Sequence, residues 1–486
     1  MDSKVTLLAS GIVLAGGALV AAPWALGQKI EKDFRAGIEE AATAAAGAPV
    51  RLRLVSYERG FWNSTARTRL EILPDAQPEE GEDGEKPGPP PVLNLEHRIA
   101  HGLGPAGLRY ARITTDLVLD DPKDSATARF FSGASPLTVT LDLGLDRSGR
   151  GTIHSPAASQ TLTENDSQIA LAWSGMDGTY AYDLKAGTGS FDVAAPGFKA
   201  HAEMGKAELR GLELKGAMHR SDESGLWLGM SSMQLASAQA EMLGKGFSLD
   251  SLSMVGDSTE AAGLVKSSIA WRGKRIAVGE DVVSDFALKL TASNLDAKAL
   301  KALDDAMSQP GAGDEAAQAA LASQVIMAQL PAILAKKPQL TIDEGKLSFN
   351  GAAMDLAGQL NYVGNPAIAF SPMTDIEGHA KVVLPRELLV GGLRKRLEKE
   401  AQMKALMSDE PVDVAALVEE GSTQMIDALV TQGMLVAADN GRYRSEIRLQ
   451  KGAITVNGTP FQGFPGSGES ETGSLGEEEM AIEAAE

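Results

Sequence analysis

His97 and His101 stand four residues apart in "VLNLEHRIAH". On a helix that spacing brings two imidazoles to one metal ion. On a strand, at about 3.3 Å per residue, it holds them about 13 Å apart. Leu93, Leu95, His97, Ile99 and His101 alternate onto one face, so the strand is expected and a shared metal is not. His154, His201, His219 and His379 have no HExxH context. The second concentration of chemistry is "SYERGFWNSTARTRLEI", residues 56–72, in a chain that is 5% aromatic. Tyr57, Arg59, Phe61 and Trp62 are the candidate ligand or partner patch, suited to a lipid head group. The competing reading is preferred: Phe61 and Trp62 fill a core and Arg59 pairs with Glu58 or a neighbour. Tyr57, Arg59, Phe61 and Asn63 share one strand parity, and Gly60 marks a bulge or a close backbone approach.

Other catalytic patterns are missing. There is no G-x-S-x-G elbow, and Gly244-Lys245 and Gly273-Lys274 lack the rest of a phosphate-binding loop. Asp304-Asp305 and Glu419-Glu420 fall on solvated helix faces. No catalytic, metal or cofactor-binding residue is assigned, and a non-enzymatic protein is expected. The 486 residues include no cysteine, which excludes thiolate zinc sites, a thiol nucleophile and disulfides. The net charge of -20 argues against a nucleic-acid partner, since phosphates are neutralised by clustered Lys and Arg.

The elements that position these residues begin with "VTLLASGIVLAGGALVAAPWAL", Val5 to Leu26, which carries no charge. As a helix it would span roughly 33 Å, enough for a hydrocarbon core of about 30 Å. An uncleaved anchor, residues 1–27, is preferred over a cleaved signal peptide because the run exceeds a usual signal core. Either reading places the remainder outside the cytoplasm.

Residues 28–48 read as a membrane-proximal helix with Ile30, Phe34, Ile38 and Ala41 at helical spacing. Residues 49–295 read as a β-rich region interrupted by a charged, proline-rich loop, 74–91. Its clearest strand is "LTVTLDLGLD", Leu137 to Asp146. Leu137, Val139, Leu141, Leu143 and Leu145 point one way, and Thr138, Thr140 and Asp142 the other. Such segments recur to about Ala292 and imply one long antiparallel sheet with a packed face and a wet face. Residues 296–465 read as helix plus strand. Helices are expected from Asp296, from about Asp314 with an interruption at Pro331, from Pro385 to Met407, and from Val412 to Thr431. Residues 466–486 form an acidic tail, expected to be disordered.

"GKLSFNG" (345–351) and "GAITVNG" (452–458) match position by position in residue type. Each follows a helix and one earlier strand, so a duplicated helix-strand-strand unit is expected. Asn350-Gly351 and Asn457-Gly458 are its turns, because both positions tolerate positive φ.

The chain resembles the YdgA-like family of bacterial envelope proteins. The matching features, in order, are the N-terminal span and helix, "SYERGFWNSTA" (56–66), "IAHGLGP" (99–105), "SNLDAKALKAL" (293–303), and "LVTQGML" (429–435) leading to "GAITVNG". The chain departs from that pattern in its 74–91 insertion and in the spacing of "HGLGP". The resemblance implies a single-pass inner-membrane protein with a periplasmic body, as a homodimer, and implies no catalytic residues. The last third is also reminiscent of AsmA-like envelope proteins, whose extended β-structures handle lipids.

The expected fold is α+β and mainly β: one transmembrane helix, a long antiparallel meander, and helices of the C-terminal half packing on the sheet. The expected function is an envelope scaffold, or binding of a lipid-like ligand along the apolar sheet face. The expected partners are the membrane through the N-terminal helix, a second copy, and a lipid or an envelope protein. The alternatives are a homo-oligomeric interaction module and a hydrolase of an envelope polymer using paired carboxylates.

Overall fold

The computed structural model describes residues 26–39, 41–42, 50–72, 92–104, 107–118, 126–146, 148–164, 167–307, 315–366, 368, 370–391, 397 and 413–461. By its contacts the chain divides into two compact units, Met1–Leu340 and Thr341–Glu486.

The first unit opens with helix α1, residues 26–39. Four strands follow: β1 (Val50–Arg59), β2 (Asn63–Ile72), β3 (Val92–Gly104) and β4 (Gly107–Val118). After a short helix, α2 (Ala126–Phe130), come β5 (Thr138–Leu143), β6 (Ser148–Ser155), β7 (Ala158–Glu164), β8 (Ser167–Trp173) and β9 (Met176–Asp183). The long strands are β10 (Thr188–Ala202), β11 (Gly205–Arg220), β12 (Trp227–Met242), β13 (Lys245–Ala261), β14 (Leu264–Val278) and β15 (Asp281–Asp296). Helices α3 (Ala297–Met307) and α4 (Glu315–Ala335) close the unit.

Every pairing is antiparallel, and neighbours in sequence are neighbours in space from β1 to β6 and from β9 to β15. The exception is the hairpin of β7 and β8. It is folded out so that β6 pairs with β9, while β8 takes the far end of β10, residues 198–202. One line of left-handed residues crosses the long strands at a common height: Gly211, Ser251 and Asp285 all have positive φ. The ladder is broken there, and this is why Pro196, which has no N–H to offer, is tolerated inside the central strand β10.

The second unit contains β16 (Gln339–Phe349, which starts just before the boundary), β17 (Ala352–Tyr362), the one-turn helix α5 (Pro372–Asp375) and β18 (Ile376–Pro385). Helix α6, residues 386–391, and α7 (Val414–Thr431) precede β19 (Val436–Ala437), β20 (Arg442–Gln450), β21 (Ala453–Val456) and β22 (Thr459–Pro460). Its core joins Val390, Ile426 and Leu435 with Leu389, Leu429 and Tyr443.

Several expectations are corrected. Among the described residues no helix is long and apolar enough to cross a membrane. The described part of helix α1, residues 26–39, carries Lys29, Glu31, Lys32, Asp33 and Arg35. The expected span, Val5 to Leu26, lies outside the described residues except for Leu26, as do the 74–91 loop and the acidic tail. In the first unit, α3 packs on one end of the sheet, where Ala297 and Leu300 join Leu228 of β12 and Val265 of β14 in a buried cluster, and neither α3 nor α4 covers the row of the histidines. Helices α3 and α4 pack on each other, and both also touch β15. The reason lies in α4, which is apolar all round without a one-sided stripe and leaves Ile326 and Met327 exposed. The cover comes instead from α1.

Helix α4 also runs through Pro331 to Ala335 without interruption. Asp296 does accept the backbone N–H of Ala299 at 2.9 Å, as a cap should. The echo is local. "PQLTIDE" and "GKLSF" form one strand, β16, whereas the second copy breaks at Lys451-Gly452 into β20 and β21. Both Asn-Gly pairs have positive φ and close two-residue turns, between β16 and β17 and between β21 and β22.

Candidate ligand-binding face

Successive strand residues point to opposite faces, so residues in cross-strand register share one face. One such row crosses thirteen strands: Tyr57, Ala66, His97, Thr115, Val139, Ile153, Gly178, Val193, Leu214, Met233, Met254, Trp271 and Leu288. Shifting by one residue gives a polar row on the other face, including Thr65, Arg98, Thr114, Thr140, Thr152, Thr179, Asp192 and Lys215. The wet face is knit by Arg98 with Asp116 at 2.8 Å and by the hydroxyls of Thr140 and Thr152 at 2.7 Å. On the dry face aromatic rings lie over glycines of the next strand. A Cβ on Gly151 would stand 2.5 Å from the Tyr180 ring, and one on Gly216 would stand 2.3 Å from the Phe191 ring.

The first strands of the dry face are covered. Ile30 of α1 is buried against Ala66, Ile99 and Ala111, with Leu26, Phe34, Leu54, Tyr57, Ile113 and Leu143 packed around them. The histidines sit under this cover. His97 Nε2 meets the Thr68 hydroxyl at 2.8 Å and its Nδ1 meets the Thr115 hydroxyl at 2.8 Å. A neutral imidazole, donating from one nitrogen and accepting at the other, satisfies both. Burial pushes the His97 imidazole down to about 4 and also lowers His101. His101 Nε2 bonds Ser64 Oγ at 3.0 Å, while its Nδ1 has no partner among the described residues. A Cβ on Gly27 of α1 would lie 3.0 Å from that ring, so the helix seats there through its glycine.

Among the described residues, no helix packs on this row where it crosses the last strands. Val193, Leu214, Met233, Met254, Trp271 and Leu288 are each half-buried, and none joins a buried cluster. Two residues further along, Ala195, Leu212, Leu235, Leu252, Gly273 and Phe286 form a second apolar row on the same face. At about 4.8 Å per strand the six strands extend this strip for about 24 Å.

The family model for DUF945, bacterial proteins of unknown function, matches residues 3–463. The chain belongs to this family. No curated protein and no solved structure matches it.

In this DUF945 chain the four patch residues part company. Tyr57 packs on Phe34 with ring centroids 5.7 Å apart, and Arg59 pairs with Glu31 of α1 at 3.3 Å. Phe61 and Trp62 are 40% and 48% exposed and lie edge to face at 5.2 Å. The expected core position for these two is therefore not where the structure puts them. Nor do Tyr57, Arg59, Phe61 and Asn63 share a strand. The chain turns at residues 60–62, and a Cβ on Gly60 would stand 2.2 Å from the Asn63 carbonyl oxygen, the close approach expected of that glycine. Both carboxylate pairs of the sequence are engaged. Asp304 and Asp305 bind Lys301, while Glu419 pairs with Arg386 at 3.1 Å and Glu420 accepts from Gln424.

Among the turn residues, Asn457 does most. Its Oδ1 accepts the Glu446 N–H and its Nδ2 donates to the carbonyls of Gly433 and Met434. The residues missed from sequence are Ser64, Thr68 and Thr115, whose hydroxyls answer the histidines. Their strand parity signalled a shared face, but only register showed which histidine each would meet.

Proposed function

We propose that this DUF945 protein is a non-enzymatic binding protein whose ligand is an acyl chain laid along the uncovered strip of β10 to β15. The observation that carries the reading is the row of six half-buried apolar side chains from Val193 to Leu288. Each fully buried methylene contributes about 0.8 kcal/mol. A chain resting on an open face buries one side, so roughly half of that applies. Affinity for saturated fatty acids should therefore rise about twofold per added methylene.

Titration of the purified full chain with fatty acids of increasing length tests this. The expected result is length-dependent binding that Met254→Asp abolishes. Binding independent of chain length, or none, sinks the reading. Light scattering that finds a dimer which Met254→Asp turns into a monomer would instead favour self-association through this face.

The order of the motifs from "SYERGFWNSTA" to "GAITVNG" supports grouping the chain with the YdgA-like envelope proteins and placing its body in the periplasm. Cell fractionation with a periplasmic marker tests the placement. Recovery with cytosolic proteins would contradict it.

A further inference from the structure

The wet face of the same sheet carries a trough that the acyl-chain reading does not use. A cavity of about 670 Å³ is lined by Arg109, Asp142, Arg150, Asp183 and Ser190 among others. A second, of about 580 Å³, shares Asp142, Arg150 and Ser190 with it and adds Arg112 and Thr179. Asp142, Arg150, Ala181 and Ser190 form one cross-strand row over β5, β6, β9 and β10. That row is one residue out of step with the Leu141 to Phe191 row and so faces the other way.

One guanidinium in this trough is left without a polar contact among the described residues. Asp142 Oδ1 accepts from Arg109 at 2.5 Å and Oδ2 accepts from Arg112 at 2.9 Å. Arg150 stands directly across the ladder from Asp142 and has no hydrogen bond or ion pair among the described residues. Two further carboxylates line the trough. Asp183 accepts the N–H groups of Lys185 and Ala186, each at 2.8 Å, and Asp192 faces Lys215 at 3.7 Å. Three guanidinium groups and three carboxylates line the trough, and of the guanidinium groups Arg150 has no partner among the described residues. Arg150 is exposed and keeps its proton, so its N–H donors face solvent and can take an anion. Ala181 leaves room beside Arg150. Beyond it stands the Ser190 hydroxyl, about 10 Å along the row at two strand spacings. An extended arginine and one phosphate group span that gap.

The geometry points to an oxyanion site in which Arg150 holds a phosphate-type group by its two parallel N–H donors. The Ser190 and Thr179 hydroxyls supply further donors. The ligand class is a phosphomonoester, free or as the head group of an amphiphile.

Calorimetric titration of the full chain at low ionic strength, with inorganic phosphate and with hexyl phosphate as probes, tests this. The wild-type chain should bind both. Arg150→Gln should weaken both at least tenfold, and so should Ala181→Leu, which keeps the charge and fills the space. Arg67→Gln, which removes a guanidinium already paired with Glu96 on the same face, should leave binding unchanged. Melting curves that coincide with wild type show that the variants fold. Tighter binding of hexyl phosphate than of phosphate identifies a head-group site, and equal binding identifies a free-anion site. No phosphate binding by the wild-type chain, or equal binding by Arg150→Gln, overturns the proposal. Met254→Asp should leave phosphate binding intact, so the two readings fail separately.

Discussion

On strand β3, Ile99 has no exposed surface, because Ile30 and Phe34 of α1 close over it. On strand β13, Met254 occupies the same dry face and is only half-buried. The two ends of the face share residue pattern, register and pairing geometry, and they differ in whether a helix lies over them. The covered end accordingly holds buried hydroxyls and imidazoles that bond one another, Ser64 with His101 and Thr68 with His97. The open end holds no such network and is built from Leu, Met, Trp and Val. Alternation along a strand decides which face is dry, and a second element decides whether that face becomes core or remains available.

This contrast can be broken by measurement. Ile99→Ala should cost about 2–5 kcal/mol in denaturant unfolding, through lost burial and the cavity left. If it costs no more than its open-end counterpart below, α1 does not cover the face as described. Next comes His97. Its folded value, about 4, lies below the ordinary 6.5, so the unfolded state binds the proton first. The stabilisation is complete above pH 6.5 and is lost as the pH falls from 6.5 to 4, to the extent of up to about 3 kcal/mol. Melting temperatures over that window should drop for the wild-type chain and stay flatter for His97→Asn. Gly27→Val should cost about 1–3 kcal/mol, since its Cβ meets the His101 ring at 3.0 Å and the helix must shift. Met254→Ala should cost the least, about 1 kcal/mol, because its side chain is already half in water. A large loss there would mean that something does lie over the strip.

Much of the strand region was legible. In "LTVTLDLGLD" the alternation alone assigns Val139, Leu141 and Leu143 to the dry face and Thr138, Thr140 and Asp142 to the wet one, and the register agrees. The Asn-Gly turns and the Asp296 cap were also readable, because each depends on a few adjacent residues. The Phe61-Trp62 turn was not. Strand parity continues through residue 63 on paper, whereas the chain reverses at Gly60. The partner of Arg59 was out of reach as well, since Glu31 stands 28 residues away on a helix whose docking depends on Gly27, Ile30 and Phe34 together.

Sequence by itself determined the alternation, the turns, the absence of thiol chemistry and the one-sided character of the sheet, because these follow from period, φ preference and composition. Tertiary structure alone decided which stretch of that side is roofed and which guanidinium is left without a carboxylate. Both outcomes depend on register between segments far apart in the chain. No local pattern records which distant side chain arrives first at a shared neighbour such as Asp142 or Ile99.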